Sequence, residues 1–167
     1  MTTEKSSVIT RRTLLRSFAA ASLSAAPVYA NAAGFLRGSG DIRRLRMYSG
    51  RTGESIDTIY WVEGEYIKDA LKEVTYFMRD WRNSKMKSID ARTVDIMAAA
   101  HGLMDVNEPY MLLSGYRSPE TNNLLRSRSR GVAKNSLHMK GEAADLRLKS
   151  RTVGQMAAAA QNCSAGG

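Results

Sequence analysis

The pattern of apolar and polar positions along the chain predicts a mixture of short strands and helices. Strand-like stretches alternate with a period of two or form short apolar runs, and helix-like stretches repeat apolar residues at spacings of three and four. The predicted strands cover residues 43–48, 55–62, 110–113 and 143–148. The predicted helices cover residues 67–81, 88 or 90 to about 104, 120–126 and 152–163. These elements indicate an α+β fold, a small antiparallel sheet flanked by helices.

The first two predicted helices each have an apolar stripe. The stripe of the first helix consists of Ile67, Leu71, Val74, Met78 and Trp81. Its basic residues lie off the stripe and are expected in solvent: Lys68, Lys72, Arg79 and Arg82. The second helix places His101 on its apolar stripe, where a histidine is usually a structural residue with a satisfied ring.

Composition and charge restrict the function only in part. The 167 residues suffice for one domain and a leader, 43% of them are hydrophobic, and the net charge is +9. Without residues 1–30, 21 basic and 15 acidic residues remain, a net charge of +6. A basic surface favours polyanions, whether nucleic acid, anionic lipid or cell-wall polymer. Arg126, Arg128 and Arg130 are expected to be solvated, with an anion-binding loop as the alternative. The single cysteine, Cys163, excludes an internal disulfide and is predicted to be a buried thiol.

Residues 1–30 have the features of an export signal. Arg11 and Arg12 form a twin-arginine pattern, and the apolar segment 18–26 is shorter than the roughly 20 residues that span a bilayer. Small residues offer cleavage after Ala30 or Ala32. Residues 31–42 are predicted to be a mobile arm, and residues 43–167 a single domain. We therefore expect a periplasmic protein, exported by the twin-arginine translocation machinery, with no permanent membrane span and no nucleic-acid partner.

His138 and Asp145 are candidate metal ligands, seven residues apart with Gly141 between them. An imidazole and a carboxylate are both good zinc ligands. Their spacing differs from that of a zinc helix and suits a loop residue followed by a strand residue, with Gly141 allowing the turn. An ordinary polar pair is the alternative interpretation. Because a catalytic zinc takes three protein ligands, His101 is an alternative third ligand. Glu142 alternates away from Asp145 and is a weak candidate for a general base.

Both residues belong to a longer ordered pattern. The chain carries S-G-Y-R-S-x-x-x-N at residues 114–122 and S-x-H-x-x-G-x-A-x-D at residues 136–145. This pattern resembles that of the zinc DD-peptidase group, in its murein endopeptidase K branch. The resemblance implies a hedgehog/DD-peptidase-like fold over residues 43–167, a catalytic zinc, and hydrolysis of crosslinks or stem peptides of peptidoglycan.

The resemblance also assigns roles to four residues. It implies that His138 and Asp145 bind zinc and that Arg117 lies beside the substrate, where it pairs a carboxylate or stabilises an oxyanion. It implies that Ser136 orients the His138 loop or contacts substrate. The alternatives are a loop-fixing salt bridge for Arg117 and a turn-capping hydroxyl for Ser136.

The chain departs from the family pattern at its end. In the family, a final strand with the pattern F-V-H-x-D follows a G-V-G-x-Y turn and supplies a third ligand and the proton-transfer group. No histidine follows His138 here, so we expect a family member without its last strand and with a two-ligand site. One hypothesis is an exported zinc peptidase of the cell wall, and the second is a non-catalytic peptidoglycan-binding remnant. The third, a basic nucleic-acid-binding domain, conflicts with the export signal.

Overall fold

The computed structural model describes residues 40–163 of the chain. The strands are β1 (Ile42–Tyr48), β2 (Ser55–Val62), β3 (Glu65–Tyr66), β4 (Tyr110–Ser114) and β5 (Asp145–Arg147). The helices are α1 (Lys68–Phe77), α2 (Ala91–Leu103), α3 (Pro119–Arg128) and α4 (Val153–Asn162), with a 3₁₀ helix at Leu137–Met139. The predicted export signal and most of the predicted arm lie outside the described residues.

The strands form one five-stranded sheet in the order β3-β2-β1-β4-β5. The pairs β1/β2, β2/β3 and β4/β5 are antiparallel, whereas β1 and β4 run parallel, with Met47 opposite Tyr110. A parallel pair needs a long crossover, which the segment containing α1 and α2 supplies. The predicted α+β class is confirmed, and the sheet is mostly antiparallel.

The core lies between the sheet and the helices α1 and α2. Helix α1 packs on β2, α2 packs on β1, and α4 packs against α2. Alternation along β1 turns Leu45 and Met47 inward, and both side chains are almost completely buried. The large apolar side chains of this core that are at most 1% exposed include Leu45, Met47, Tyr60, Val74, Met78 and Val94.

Helix α1 is shorter than predicted, and its buried stripe is different. It ends at Phe77, because the carbonyl of Met78 accepts a hydrogen bond from the Tyr116 N–H at 2.7 Å and the chain then turns away. Of the predicted stripe, Val74 and Met78 are fully buried, whereas Ile67 and Trp81 are 40% and 37% exposed. Ala70 and Phe77 complete the buried face of the helix.

The prediction that Arg79 is solvated is also wrong. Its two terminal nitrogens each lie 3.0 Å from a carboxylate oxygen of Glu54, and its side chain is only 12% exposed. This pair joins the end of α1 to the start of β2, a contact between distant parts of the chain that a helical stripe does not indicate.

Side chains cap the starts of the other three helices. Asp90 accepts hydrogen bonds from the first N–H groups of α2, Ser118 caps α3, and Thr152 forms a capping box with Gln155 at α4. Strand β5 is shorter than the predicted 143–148, because only three of these residues pair with β4.

A buried ionic cluster joins the hairpin to α2. Asp95 of α2, which is 2% exposed, lies 2.7 Å from Arg43 and accepts a hydrogen bond from the hydroxyl of Tyr60 at 3.0 Å. Tyr66 of β3 donates to the second oxygen of the same carboxylate. Four elements therefore meet at one carboxylate.

The predicted buried thiol is found at Cys163. Its side chain is inaccessible to solvent, and burial raises its pKa. Across residues 40–163, no helix combines the length and apolar character that crossing a membrane requires.

Candidate metal centre

Two segments meet at the end of β4 and bring the motif residues together. Strand β4 ends at Ser114, and Gly115, Tyr116 and Arg117 follow it directly. Ser114 pairs in register with Asp145, the first residue of β5. His138 lies in the 3₁₀ helix between them in the chain. The sheet register thus places the start of β5 beside the Gly115–Arg117 segment.

Backbone hydrogen bonds fix the orientation of His138. Its Nδ1 lies 2.8 Å from the carbonyl oxygen of Gly115, and the N–H of Arg117 donates to the His138 carbonyl at 3.1 Å. Because a carbonyl oxygen only accepts, Nδ1 carries a proton, and in the neutral ring the lone pair of Nε2 is then available. This arrangement is typical of a metal-binding histidine, whose second nitrogen is anchored by a backbone carbonyl.

Glycines at two positions permit this close packing. A Cβ at Gly115 would lie 2.4 Å from the Met78 carbonyl oxygen, and a Cβ at Gly141 would lie 2.3 Å from that of Ser88. Gly141 also has a φ of +79°, a conformation that L side chains rarely adopt. It therefore forms the predicted turn between His138 and Asp145.

The side chains of His138 and Asp145 face each other. Nε2 of His138 lies 3.5 Å from Oδ2 of Asp145, and a terminal nitrogen of Arg117 lies 4.0 Å from the same oxygen. A hydrogen bond from His138 lowers the pKa of the Asp145 carboxyl, as do the charge of the His138 ring when it is protonated and the charge of Arg117, against the opposing effect of partial burial. The carboxylate is thus kept ionised and remains half-exposed.

Asn122 also contacts Arg117, through a different guanidinium nitrogen from the one nearest Asp145. The Arg117 guanidinium lies 3.4 Å from the side-chain oxygen of Asn122, which is 1% exposed. The amide of Asn122 donates in turn to the carbonyl oxygens of Ala133 and Lys134. The Nε of Arg117 is buried and has no hydrogen-bond partner in the described part of the chain, so this guanidinium is incompletely paired.

Asp80 supports the same loop, and no sequence pattern singles it out. Its side chain is 1% exposed, and its Oδ2 accepts hydrogen bonds from the N–H and the hydroxyl of Ser118, both at 2.9 Å. Asn83 donates to the Ser118 hydroxyl at 2.8 Å. The segment after α1 therefore fixes the residue next to Arg117. The only signal in the sequence is an acidic residue at the end of an apolar helical pattern.

The remaining candidates lie apart from the His138–Asp145 pair or contribute no identified contact. Ser136 is buried at the start of the 3₁₀ helix, but its side chain does not cap that helix. Glu142 is exposed and lies 3.9 Å from Lys140. His101 contacts the Glu108 carbonyl at 2.7 Å and packs edge-on against Tyr110, which are contacts of a structural residue.

His138 and Asp145 fit two positions of a zinc site. The lone pair of Nε2 faces an ionised carboxylate, and the other ring nitrogen is anchored as such sites require. Among residues 40–163, no three His, Cys, Asp or Glu side chains are arranged to hold a metal ion. The part of the chain that the structure describes therefore offers two ligands.

Comparisons with known proteins assign the chain to a family. Residues 37–167 match the family described as peptidoglycan L,D-endopeptidase MepK. The MepK protein of Escherichia coli is 42% identical over 125 residues, which are 75% of this chain and 69% of that protein. The probable MepK of Haemophilus influenzae is 31% identical over 117 residues, 70% of this chain and 63% of that protein. No solved structure gives a significant match.

The comparisons define a class, the peptidoglycan peptidases. The chain belongs to the peptidoglycan L,D-endopeptidase MepK family. The predicted family and the prediction of an enzyme are confirmed, because this is a family of hydrolases. The wider peptidase family to which it belongs is generally zinc-dependent.

Proposed function

We propose that this protein is an exported zinc endopeptidase that hydrolyses peptide crosslinks or stem peptides of peptidoglycan during cell-wall remodelling. The names of its relatives favour an L,D bond as the one cleaved. The proposal is carried by one observation: the free Nε2 of His138 faces the ionised carboxylate of Asp145 at 3.5 Å, with Arg117 alongside.

In this proposal His138 and Asp145 hold the metal. A bound zinc supplies an acidified water and polarises the carbonyl of the scissile amide. The Gly115 carbonyl keeps the His138 ring in the tautomer that leaves Nε2 available. The proposed role of Arg117 is to pair a substrate carboxylate or the carbonyl oxygen that becomes negative during attack. Asn122 limits the positions that this guanidinium can adopt.

Peptidoglycan binding without cleavage is the second candidate function. It is favoured by the finding that only two ligands converge within residues 40–163. A zinc ion with two protein ligands is bound more weakly than one with three, since each ligand adds to the affinity. In both candidates the ligand is a peptidoglycan peptide.

The proposed location is the periplasm, reached through the twin-arginine translocation machinery. The support is the leader pattern in residues 1–30, with Arg11 and Arg12 ahead of an apolar segment and small residues at Ala30 and Ala32. Fusing residues 1–32 to a reporter that folds before export tests this proposal. Export that is lost with Arg11→Lys combined with Arg12→Lys supports it, and export unaffected by these changes contradicts it.

Zinc analysis of the purified protein tests the ligands. We expect His138→Ala and Asp145→Ala each to reduce bound zinc roughly tenfold or more, because each removes a ligand. His101→Ala is the matched control, since it removes the other histidine of the chain and should leave zinc content unchanged. If both ligand variants retain the zinc content of the parent, the assignment is wrong.

Digestion of purified peptidoglycan separates the two candidate functions. Mass spectrometry of the released peptides identifies the bond that is cut, and Asp145→Ala should abolish the release. A protein that co-sediments with peptidoglycan but releases nothing, even with added zinc, would be a binding protein.

A further inference from the structure

Three guanidinium groups share one cavity beside the candidate metal centre. Arg82, Arg117 and Arg147 line a cavity of about 550 Å³ that also contains Asp145. Three positive charges thus face one carboxylate, and that carboxylate is already in contact with His138. A concave surface with a surplus of positive charge concentrates anions.

Arg82 is held in place by an indole ring and one distant carboxylate. The centre of its guanidinium lies 4.2 Å from the ring centroid of Trp81, and Arg51 lies 5.3 Å from the same indole ring. The nearest carboxylate is that of Asp80 at 3.9 Å, which is buried and accepts two hydrogen bonds from Ser118. Packing on the indole fixes the direction of the Arg82 side chain.

The surroundings of Arg82 disfavour its charge. Burial lowers its pKa, and the positive charges of Arg117 and Arg51 lower it further against the opposing effect of Asp80. An anion bound near Arg82 would relieve this repulsion between like charges.

Arg147 approaches the same cavity from the sheet. It lies two residues after Asp145 in β5, so both side chains project from the same face of the strand. Arg147 is exposed and forms no salt bridge with any residue between 40 and 163. It is therefore free to bind a ligand.

We propose that Arg82 and Arg147 form a subsite for a free carboxylate of the substrate peptide, adjacent to the amide bond that is cleaved. The inference rests on the proposed function and adds two specificity-determining residues to it. A peptide carboxylate suits this subsite because a guanidinium donates two parallel hydrogen bonds to a planar carboxylate. Arg117 is left to act at the reacting carbonyl, and the subsite selects substrates with an acidic group at a fixed distance from it.

Calorimetric titration tests the subsite without requiring hydrolysis. The probes are a peptidoglycan stem peptide with free carboxylates and the same peptide with its carboxylates amidated, both titrated at low salt. Against the free peptide, Arg82→Gln and Arg147→Gln should each raise Kd roughly tenfold or more, as expected for a lost charged hydrogen bond. Against the amidated peptide, neither substitution should change Kd.

Two further variants separate a subsite from a structural effect. Arg128→Gln, on the exposed face of α3, is the control for loss of one positive charge and should leave both Kd values unchanged. Arg82→Lys keeps the charge and should retain most of the preference for the free peptide. The inference is overturned if the parent binds both peptides equally or if Arg82→Gln weakens both to the same extent.

The failure of this inference and that of the proposed function give different results. Cleavage of peptidoglycan together with charge-independent peptide binding would leave the enzyme proposal standing and remove the subsite. Charge-dependent binding that is lost in Arg82→Gln, without any cleavage, would support the subsite and contradict the enzyme proposal.

Discussion

Gly115 determines how closely the two halves of the candidate metal centre approach. Its α-carbon packs against the end of α1, where the Met78 carbonyl leaves no room for a side chain. Its own carbonyl oxygen orients His138. A larger residue would move this oxygen together with the backbone, so the packing of one glycine controls the tautomer of the candidate ligand.

Gly115→Ala should therefore affect both stability and zinc binding. Overpacking of this kind costs about 1–3 kcal/mol of the free energy of unfolding, measured by urea denaturation. Zinc content should fall as well, because the His138 anchor shifts. Gly50→Ala is the control, since a Cβ there meets no atom within 4 Å. Equal stability and zinc content in the two variants would refute this role of Gly115.

The residues of the site differ in how well the sequence reveals them. Arg117, His138 and Asp145 lie within two adjacent motifs, and the turn at Gly141 is a local signal, so their convergence can be anticipated. Asp80 contacts Ser118 across a separation of 38 residues. A single buried carboxylate has no periodic or motif signal, so only the folded structure reveals its contact.

At the scale of elements, contacts between distant segments determine where a helix ends when the local apolar pattern does not. The apolar pattern of α1 continues beyond Phe77, but the Met78 carbonyl bonds to Tyr116 and the helix ends. Capping residues, by contrast, act within one turn, and the starts of α2, α3 and α4 agree with the sequence. Helix starts are therefore better predicted here than the helix end that another element sets.

Asp95 joins α2 to three strands, and its removal should lower the free energy of unfolding substantially. Asp95→Ala leaves Arg43 buried without its partner, and breaking a buried ion pair in this way typically costs 3–5 kcal/mol. Urea denaturation measures the loss. Asp57→Ala removes an exposed carboxylate paired with Arg44 in the same hairpin and should have a much smaller effect. Similar losses in both variants would show that the buried cluster contributes no more than a surface pair.

At the scale of the whole molecule, the α+β class follows from the order of elements, but the strand order does not. Nothing in the sequence indicates that β4 pairs with β1 in parallel, because that pairing depends on how α1 and α2, which lie between the two strands in the chain, pack against the sheet. This pairing brings the end of β4 to the end of α1, and so joins the predicted motif to the unpredicted Asp80.

The ionisation of Asp80 makes the stability contributed by this junction depend on pH. Burial raises the pKa of its carboxyl, but hydrogen bonds from Thr121, from Ser118 and from the N–H of Arg82 outweigh burial and hold it below its ordinary value of 3.8. A carboxyl whose pKa is lower in the folded protein stabilises the fold above its ordinary pKa. That contribution is lost as the pH falls through the lower, folded value.

Asp80→Asn should therefore change how the stability of the whole molecule responds to acid. At pH 7 the variant is expected to be less stable, because an amide replaces a carboxylate that accepts hydrogen bonds from the Ser118 N–H and hydroxyl. As the pH falls through the folded pKa of Asp80, the two proteins should converge, since the parent then loses the ionised form. Urea denaturation at a series of pH values measures both curves. Asp69→Asn, at an exposed surface pair, should follow the parent curve closely. Parallel curves for Asp80→Asn and the parent would mean that this carboxylate does not link the fold to pH.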